Sequence, residues 1–310
     1  MKRNLLRLIE SHFPSTSELV NQYKRQDIFR CTHDSHSRFN NAVSTYHVLK
    51  VKQCFPDGCT YFRWKCRNLN KGISCPKKFQ HVGRLCFSCR FFYDVKEINR
   101  PEIIVSHTEF DHFQNQFKEF EDWIENHIGR EVEFSGTISS LKPEYLLRKA
   151  KKSSHIILKG FLLSFCNCSI NKYYFNDLIY APVSISMQHR LNFSRDDVVF
   201  CRGYFTVTNG VIILRKIRGI EILEKKSCSG WTETQARVIQ RTGSILPYQL
   251  AKCHACENGT LLHVYHDGDS MPQSRVLFCL EGVSDPELCS FRIKKLLTQA
   301  SCPQDDFDKL

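Results

Sequence analysis

The sequence predicts a mainly β protein with some α, built as a small β-barrel flanked by two cysteine-rich zinc-binding modules. Three observations carry that expectation. About five short β-branched and aromatic runs lie between Glu131 and Glu224, and the last two are joined by Asn209-Gly210. Two Cys-x-x-Cys pairs, Cys86-Phe87-Ser88-Cys89 and Cys253-His254-Ala255-Cys256, each have two further cysteines nearby. The longest apolar run, Ile156 to Cys168, is broken by Lys159 and far too short to span a bilayer. A chain of 310 residues is long enough for two or three domains.

Residues 1–30 read as a short helical cap, because Leu5, Leu6, Ile9 and Phe13 fall at helical spacing and Pro14 closes the run. Tyr46–Cys66 reads as a β-hairpin. His47, Leu49 and Val51 alternate with polar neighbours, Phe55-Pro56-Asp57-Gly58 supplies turn chemistry, and Tyr61-Phe62-Arg63-Trp64 returns. Residues 108–128 give the clearest helix, with Phe110, Phe113, Phe117, Phe120, Ile124 and Ile128 on one stripe. Thr108 with Asp111 resembles a capping box, and Gly129 is placed to end the helix.

Beyond it the pattern turns to strands. Glu131–Ser139 alternates, and the basic loop Arg148-Lys149-Ala150-Lys151-Lys152 precedes the apolar stretch Ile156–Cys166. Tyr173–Tyr180 and Val183–Met187 are shorter strand candidates, followed by Val198–Val207 and Val211–Leu223. Asn-Gly between β-branched runs favours a type I′ turn, which needs φ > 0 twice. So few short strands cannot build two full sheets; they suit a barrel, in which closure removes exposed edges. The expected organisation is a basic zinc-binding domain over 1–107, a linking helix over 108–128, the barrel over 129–226, and a linker with a zinc-ribbon-like module over 227–310.

Charge is unevenly spread over these segments. The whole chain carries 44 Lys+Arg against 32 Asp+Glu, a net +12. Residues 1–107 hold a net +11, residues 108–128 a net −5, residues 129–226 a net +8 and residues 227–310 a net −2. Two strongly basic blocks point to a polyanionic partner, since Lys and Arg gain affinity by displacing counterions from phosphates.

The segment Glu131–Glu224 resembles the oligonucleotide/oligosaccharide-binding (OB) fold in its strand count, in Gly136 within its first strand and in its terminal hairpin. That resemblance implies a binding face on the middle strands, flanked by the loop after the first strand and the loop joining the last two. The matching positions are Arg148, Lys149, Lys151 and Lys152, then Lys172, Tyr173, Tyr174 and Phe175, and finally Arg215, Lys216 and Arg218 beyond Asn209-Gly210. Independently of any family, rings interleaved with Lys and Arg suit single strands, because bases stack on rings while cations follow the backbone.

Sixteen cysteines in a chain without a recognisable secretion signal argue for metal or buried thiols over disulfides. Zinc takes four thiolate or imidazole ligands in a tetrahedron, and a Cys-x-x-Cys turn presents two sulfurs from one loop. The first set is Cys66, Cys75, Cys86 and Cys89, with Cys54, Cys59 or His81 as stand-ins. An iron–sulfur cluster would use the same four thiolates. Lys77 and Lys78, with Arg67, Lys71, Arg84 and Arg90, would project from this knob towards phosphates. The second set is Cys253, Cys256, Cys279 and Cys289, with His254, His263 and His266 as spares, which makes about two zinc ions per chain. Cys31 with His33 and His36 is a thinner candidate, and Cys166 and Cys168 read as barrel packing.

No phosphate loop, dinucleotide fingerprint, zinc-protease helix, nucleophile elbow or zinc-deaminase pattern occurs in the sequence. The adjacent Asp196-Asp197 sits at a strand start, where polar turn residues are expected. The function expected is therefore non-catalytic binding of nucleic acid, single-stranded or structured, as an intracellular subunit of a larger processing assembly with other proteins. Neither a membrane nor a small-molecule substrate is expected as a partner. Two rivals stand beside it: a protein–protein adaptor, and an iron–sulfur or metal-dependent nucleic-acid enzyme.

Overall fold

A computed structural model describes residues 17–290, apart from 34–35, 37–40, 151–152, 227–229, 249–250, 255, 269–271 and 273. The strands in chain order are β1 Ser17–Leu19, β2 Phe29–Arg30, β3 Ala42–Val43, β4 Cys59–Cys66, β5 Phe92–Asn99, β6 Glu102–Ile103, β7 Glu131–Lys149 and β8 Ser154–Ile170. They continue as β9 Tyr173–Phe175, β10 Ile179–Val183, β11 Val198–Thr208, β12 Val211–Glu224, β13 Ser244–Ile245, β14 Gly259–His266 and β15 Ser274–Cys279. The helices longer than a turn or so are α1 His107–His127, α2 Ile185–Leu191 and α3 Glu233–Thr242. The protein is mainly β. Val20–Asn126 with Asn209–Val211 form one compact unit, and the remaining described residues form the other. Among the described residues no helix is long and apolar enough to cross a membrane.

In the first unit, α1 supplies one wall of the core. Its buried side chains are Phe110, Phe113, Phe120, Trp123 and Ile124, at the i, i+3, i+4 spacing of an amphipathic helix. Phe110 and Phe113 pack with Ile28, Phe29, Cys31, Val43, Val48 and Cys54. The Tyr23 ring stands edge-on to Phe117 and Phe120, and its hydroxyl donates to Glu121 Oε1 at 3.1 Å. The helix is started by Ser106 and not by Thr108. Ser106 Oγ and Ser106 N both bond Glu109 Oε2, while Glu109 N donates back to Ser106 Oγ, which is a reciprocal capping box two residues earlier than expected.

Leu5, Leu6, Ile9, Phe13 and Pro14, which carry the expected helical cap, lie outside the described residues; the rest of its range, residues 17–30, holds β1, which belongs to the other unit, a single tight turn at Gln22–Lys24 and β2. One sequence expectation fails in this unit. The supposed first hairpin strand, His47–Val51, is a helical turn that sends Val48 into the core. A five-residue apolar run carries no decisive period, so tertiary packing chose its conformation. β4 instead pairs antiparallel with β5 over eight positions, from Cys59↔Asn99 to Cys66↔Phe92.

The second unit is built on a ten-stranded mixed sheet in the order β1-β9-β8-β10-β12-β11-β7-β14-β15-β13. The small closed barrel expected from sequence is corrected to this larger sheet. Within it β7 bonds both β8 and β11, so pairing runs around β7, β8, β10, β12 and β11. β10 and β12 meet in parallel at one position only, Tyr180↔Ile213, and the ladder opens there. The far end of β7, Leu146–Lys149, pairs in parallel with His263–His266 of β14. β7 and β8, at 19 and 17 residues, are long enough to serve neighbours at both ends. The segment expected to stand alone as a C-terminal ribbon therefore extends the sheet. Gly160 permits the close approach of β8 to β10, since a Cβ there would stand 2.2 Å from Val183 O. Val183–Met187, expected as a strand, divides between the end of β10 and the start of α2, which Ser184 Oγ caps by accepting from Met187 N at 3.1 Å.

Candidate metal centres and nucleic-acid interface

The eight cysteines chosen by spacing fall into two frames of the same construction. In the first, Cys89 N donates to Cys86 O and Phe92 N donates to Cys89 O, each at 2.9 Å. Phe92 opens β5 and stands directly opposite Cys66, the last residue of β4. In the second, Gly259 N donates to Cys256 O at 3.0 Å. Gly259 opens β14 and stands directly opposite Cys279, the last residue of β15. In both, a strand begins three residues after the second cysteine of a Cys-x-x-Cys turn and meets a third cysteine across an antiparallel ladder. The fourth follows that third one at a similar distance, Cys75 after Cys66 and Cys289 after Cys279. Only chain order differs: the turn comes last in the first frame and first in the second, so the two are circular permutations.

Cys66, Cys75, Cys86 and Cys89 line one cavity of about 250 Å³, together with Phe79, Val82, Leu85 and Phe91. Four thiols around an apolar space with no carboxylate is a donor set of the right softness for zinc or iron. Among the described residues no three of His, Cys, Asp and Glu stand close enough to grip an ion, so the expected zinc modules are not seen as assembled sites. His81 shares the cavity. Cys54 and Cys59 do not. Cys59 and Cys66 close opposite ends of β4, about 23 Å apart at about 3.3 Å per residue. Burial, with a hydrogen bond to Cys59, pushes the Cys54 thiol up to about 12. Burial likewise raises Cys201 to about 12 and lifts Cys168 well above the ordinary thiol value, which keeps these sheet cysteines as packed thiols.

The second frame is tied into the sheet by a lysine. Lys142 Nζ donates to Cys256 O at 2.9 Å and to Gly259 O at 2.8 Å, and burial lowers its pKa. Gly259 is needed for the same packing, because a Cβ would stand 2.1 Å from Cys253 O. Arg195 Nη1 pairs with Glu257 Oε1 at 3.0 Å on the surface. Burial is the chief cause that lowers the pKa of the two spare histidines His254 and His263.

The expected binding positions on the sheet are only partly available. Arg148 and Lys149 are exposed at the end of β7, while Lys151 and Lys152 lie outside the described residues. Lys172 and Arg215 are exposed. Arg218 is clamped in a two-point pair with Glu131, at 2.5 and 2.6 Å. Lys216 lies over the Tyr204 ring at 5.8 Å. Tyr173 and Tyr174 are half-buried because β9 is flanked by both β8 and β1. The Tyr174 hydroxyl is also used, donating to Asn167 Oδ1 at 3.3 Å. Arg202 with Glu133, Lys159 with Glu144, Lys225 with Asp197 and Lys226 with Glu224 are further ion pairs. Much of the positive charge of this block is thus matched internally, which its net charge conceals. The Asn209-Gly210 tip belongs to the first unit, where Gly210 is buried and its carbonyl accepts from Asn21 Nδ2 at 3.3 Å.

The first frame behaves differently. Residues 59–99 carry nine Lys+Arg and two Asp+Glu. Lys77 and Lys78 are exposed, as are Arg67, Lys71, Arg84, Arg90 and Lys96, and none of these seven has an ion pair among the described residues. Their two carboxylates differ: Glu97 is engaged by Tyr61, Arg63 and Lys65 on one face of the ribbon, and Asp94 lies on the other. That other face carries side chains that residue spacing alone did not single out as a site. Phe62 is 58% exposed and Trp64 42%, with Phe87 at 52% packed against Trp64. The alternation Tyr61-Phe62-Arg63-Trp64-Lys65 is the signal for this arrangement, since it sets two rings on one side and two cations on the other.

Asp196-Asp197 is structural. Asp197 is fully buried and accepts from Ser194 N and Oγ, Lys226 N and Lys225 Nζ at 2.8–2.9 Å. Burial raises its pKa, but these bonds outweigh that and hold it below the ordinary carboxylate value. No protein-family model, curated protein or solved structure matches the chain.

Proposed function

We propose that this protein binds nucleic acid without chemically altering it, as an intracellular subunit of a larger nucleic-acid-processing assembly. The observation that carries the reading is the segment of residues 59–99, which holds seven exposed cations without ion pairs among the described residues, two of them, Lys77 and Arg90, lining the four-cysteine cavity. Free cations on a fixed knob release phosphate counterions on contact; cations already paired with carboxylates do so far less. In this reading each four-cysteine frame takes one zinc ion, which would draw its sulfurs together at about 2.3 Å from the metal and fix the knob.

The circuit of five strands is read as OB-like. Support comes from the order β7-β8-β10-β12-β11, the parallel β10–β12 seam with a single pair, and α2 between β10 and β11. The OB fold is a partly open five-stranded barrel of this kind. Arg148, Lys149, Lys172 and Arg215 on its exterior are secondary phosphate contacts.

The test joins two measurements on the full chain. Elemental analysis is expected to give about two zinc per chain in a colourless protein. Oligonucleotide affinity is expected to fall steeply with salt, with log K losing about 0.7 per released counterion on a single strand. Absorbance near 400 nm from bound iron would replace zinc by a cluster in the first frame. Affinity that ignores salt would remove the nucleic-acid reading. A protein adaptor is the second reading, favoured by the acidic surroundings of the second frame, where residues 253–289 hold six Asp+Glu and one Arg.

A further inference from the structure

We infer that the outward face of the β4–β5 ribbon is a base-stacking platform, and that its ligand is unpaired nucleic acid and not duplex. The inference rests on the nucleic-acid reading above and assigns it a site. Phe62 and Trp64 point the same way along β4, two residues and about 6.6 Å apart. That is roughly twice the 3.4 Å rise between stacked bases, so a strand laying one base on each ring must have its own bases unstacked there. A duplex offers only base edges and phosphates, because its base faces are already covered.

The Trp64 ring is packed from one side. Phe87, from the Cys-x-x-Cys turn, stands edge-on to Trp64 at 4.8 Å and packs with Phe92 at 5.3 Å. The metal-binding turn therefore also positions the platform. Charge on the ribbon around the face favours the occupant. On the face itself Lys96, directly across the ladder from Phe62, balances Asp94, across from Trp64, and Ile98 is exposed beside them; the excess cations are Arg67, Lys71, Lys77, Lys78, Arg84 and Arg90 of the connecting segment. An apolar protein partner would gain nothing from the cations around it. A polyanion with exposed ring faces uses both, and stacking on an aromatic side chain is sequence-tolerant because every base has a π-face.

The experiment is a fluorescence titration with an oligothymidine strand and with a duplex of equal length. Of the three tryptophans, Trp64 is 42% exposed, Trp123 is 6% exposed and Trp231 is half-buried, so a contact at this face reports through Trp64. The single strand is expected to quench emission and the duplex to leave it unchanged. Trp64→Phe should abolish the quench while keeping affinity within about threefold, because a ring remains. The pair Phe62→Ala with Trp64→Ala should weaken oligothymidine binding by about tenfold or more, with metal content and melting temperature unchanged. Equal affinity for single strand and duplex, or wild-type affinity in the double alanine variant, would overturn the platform while leaving the wider reading intact. So would a concentration-dependent dimer that the double variant dissolves, since the face would then be covered by a second copy. Absence of any salt-dependent binding would instead overturn the reading on which the platform stands.

Discussion

The two four-cysteine frames share a plan and differ in everything around it. Around Cys66, Cys75, Cys86 and Cys89 the sequence is basic and the ribbon shows exposed rings; around Cys253, Cys256, Cys279 and Cys289 it is acidic and β14 is bonded into the sheet. A buried lysine grips the second turn, and no described group plays that part at the first. The comparison teaches that such a frame is a way to fix a turn against a ladder, and that neighbouring side chains decide its use. The first frame leaves its outward face exposed. The second spends its edges on the protein itself.

The largest test of that contrast removes one thiol from each frame. Cys86→Ser and Cys256→Ser should each lower zinc by about one per chain, since structural zinc contributes about 10 kcal/mol or more to the fold it holds. Only Cys86→Ser should also abolish oligonucleotide binding. Equal loss of binding from both would erase the distinction. Next in size, Lys77→Glu with Lys78→Glu should weaken binding about tenfold and reduce the salt slope by about 1.4, at about 0.7 per lost phosphate contact on a single strand. Arg218→Gln serves as the control: its guanidinium is committed to Glu131, and affinity should change by less than about twofold.

A smaller effect isolates the second frame. Lys142→Met should destabilise the protein by about 2 kcal/mol in a denaturant melt, because Cys256 O and Gly259 O lose their donor. Oligonucleotide affinity should not move. Smallest at neutral pH is the acid response of the sheet unit. Asp197 has a lowered folded pKa, so its contribution is complete above the unfolded carboxylate value of 3.8 and is lost as pH falls below it. Melting temperature should drop over that acid range, and Asp197→Asn should flatten the drop. A drop of the same size in Asp197→Asn would assign the acid lability to other carboxylates.

Much of this was legible in one dimension. The Cys-x-x-Cys turns announce themselves because ligand spacing is local, and Val198–Val207 with Val211–Leu223 reads as a hairpin because Asn209-Gly210 supplies the positive φ values, 52° and 76°. The stripe through Phe110, Phe113 and Phe120 located the long helix to within a residue. Three features were not legible. His47–Val51 is too short for its period to decide between strand and helix. Net charge over 129–226 does not disclose that Arg202 and Arg218 face Glu133 and Glu131 across the sheet. Alternation in β4 separates two faces but does not say which one the protein leaves open.

The amino-acid order by itself determined the paired cysteines, the basic and acidic blocks, and the alternation of rings and cations along β4. These depend on neighbours a few positions apart, where periodicity and turn preference act. Tertiary structure alone decided that Cys66 meets Phe92 and Cys279 meets Gly259, that β14 completes a ten-stranded sheet, and that Phe62 and Trp64 remain in solvent. Those outcomes are set by which distant strands find each other, and ladder register is a global property of the packed chain that no short window of sequence contains.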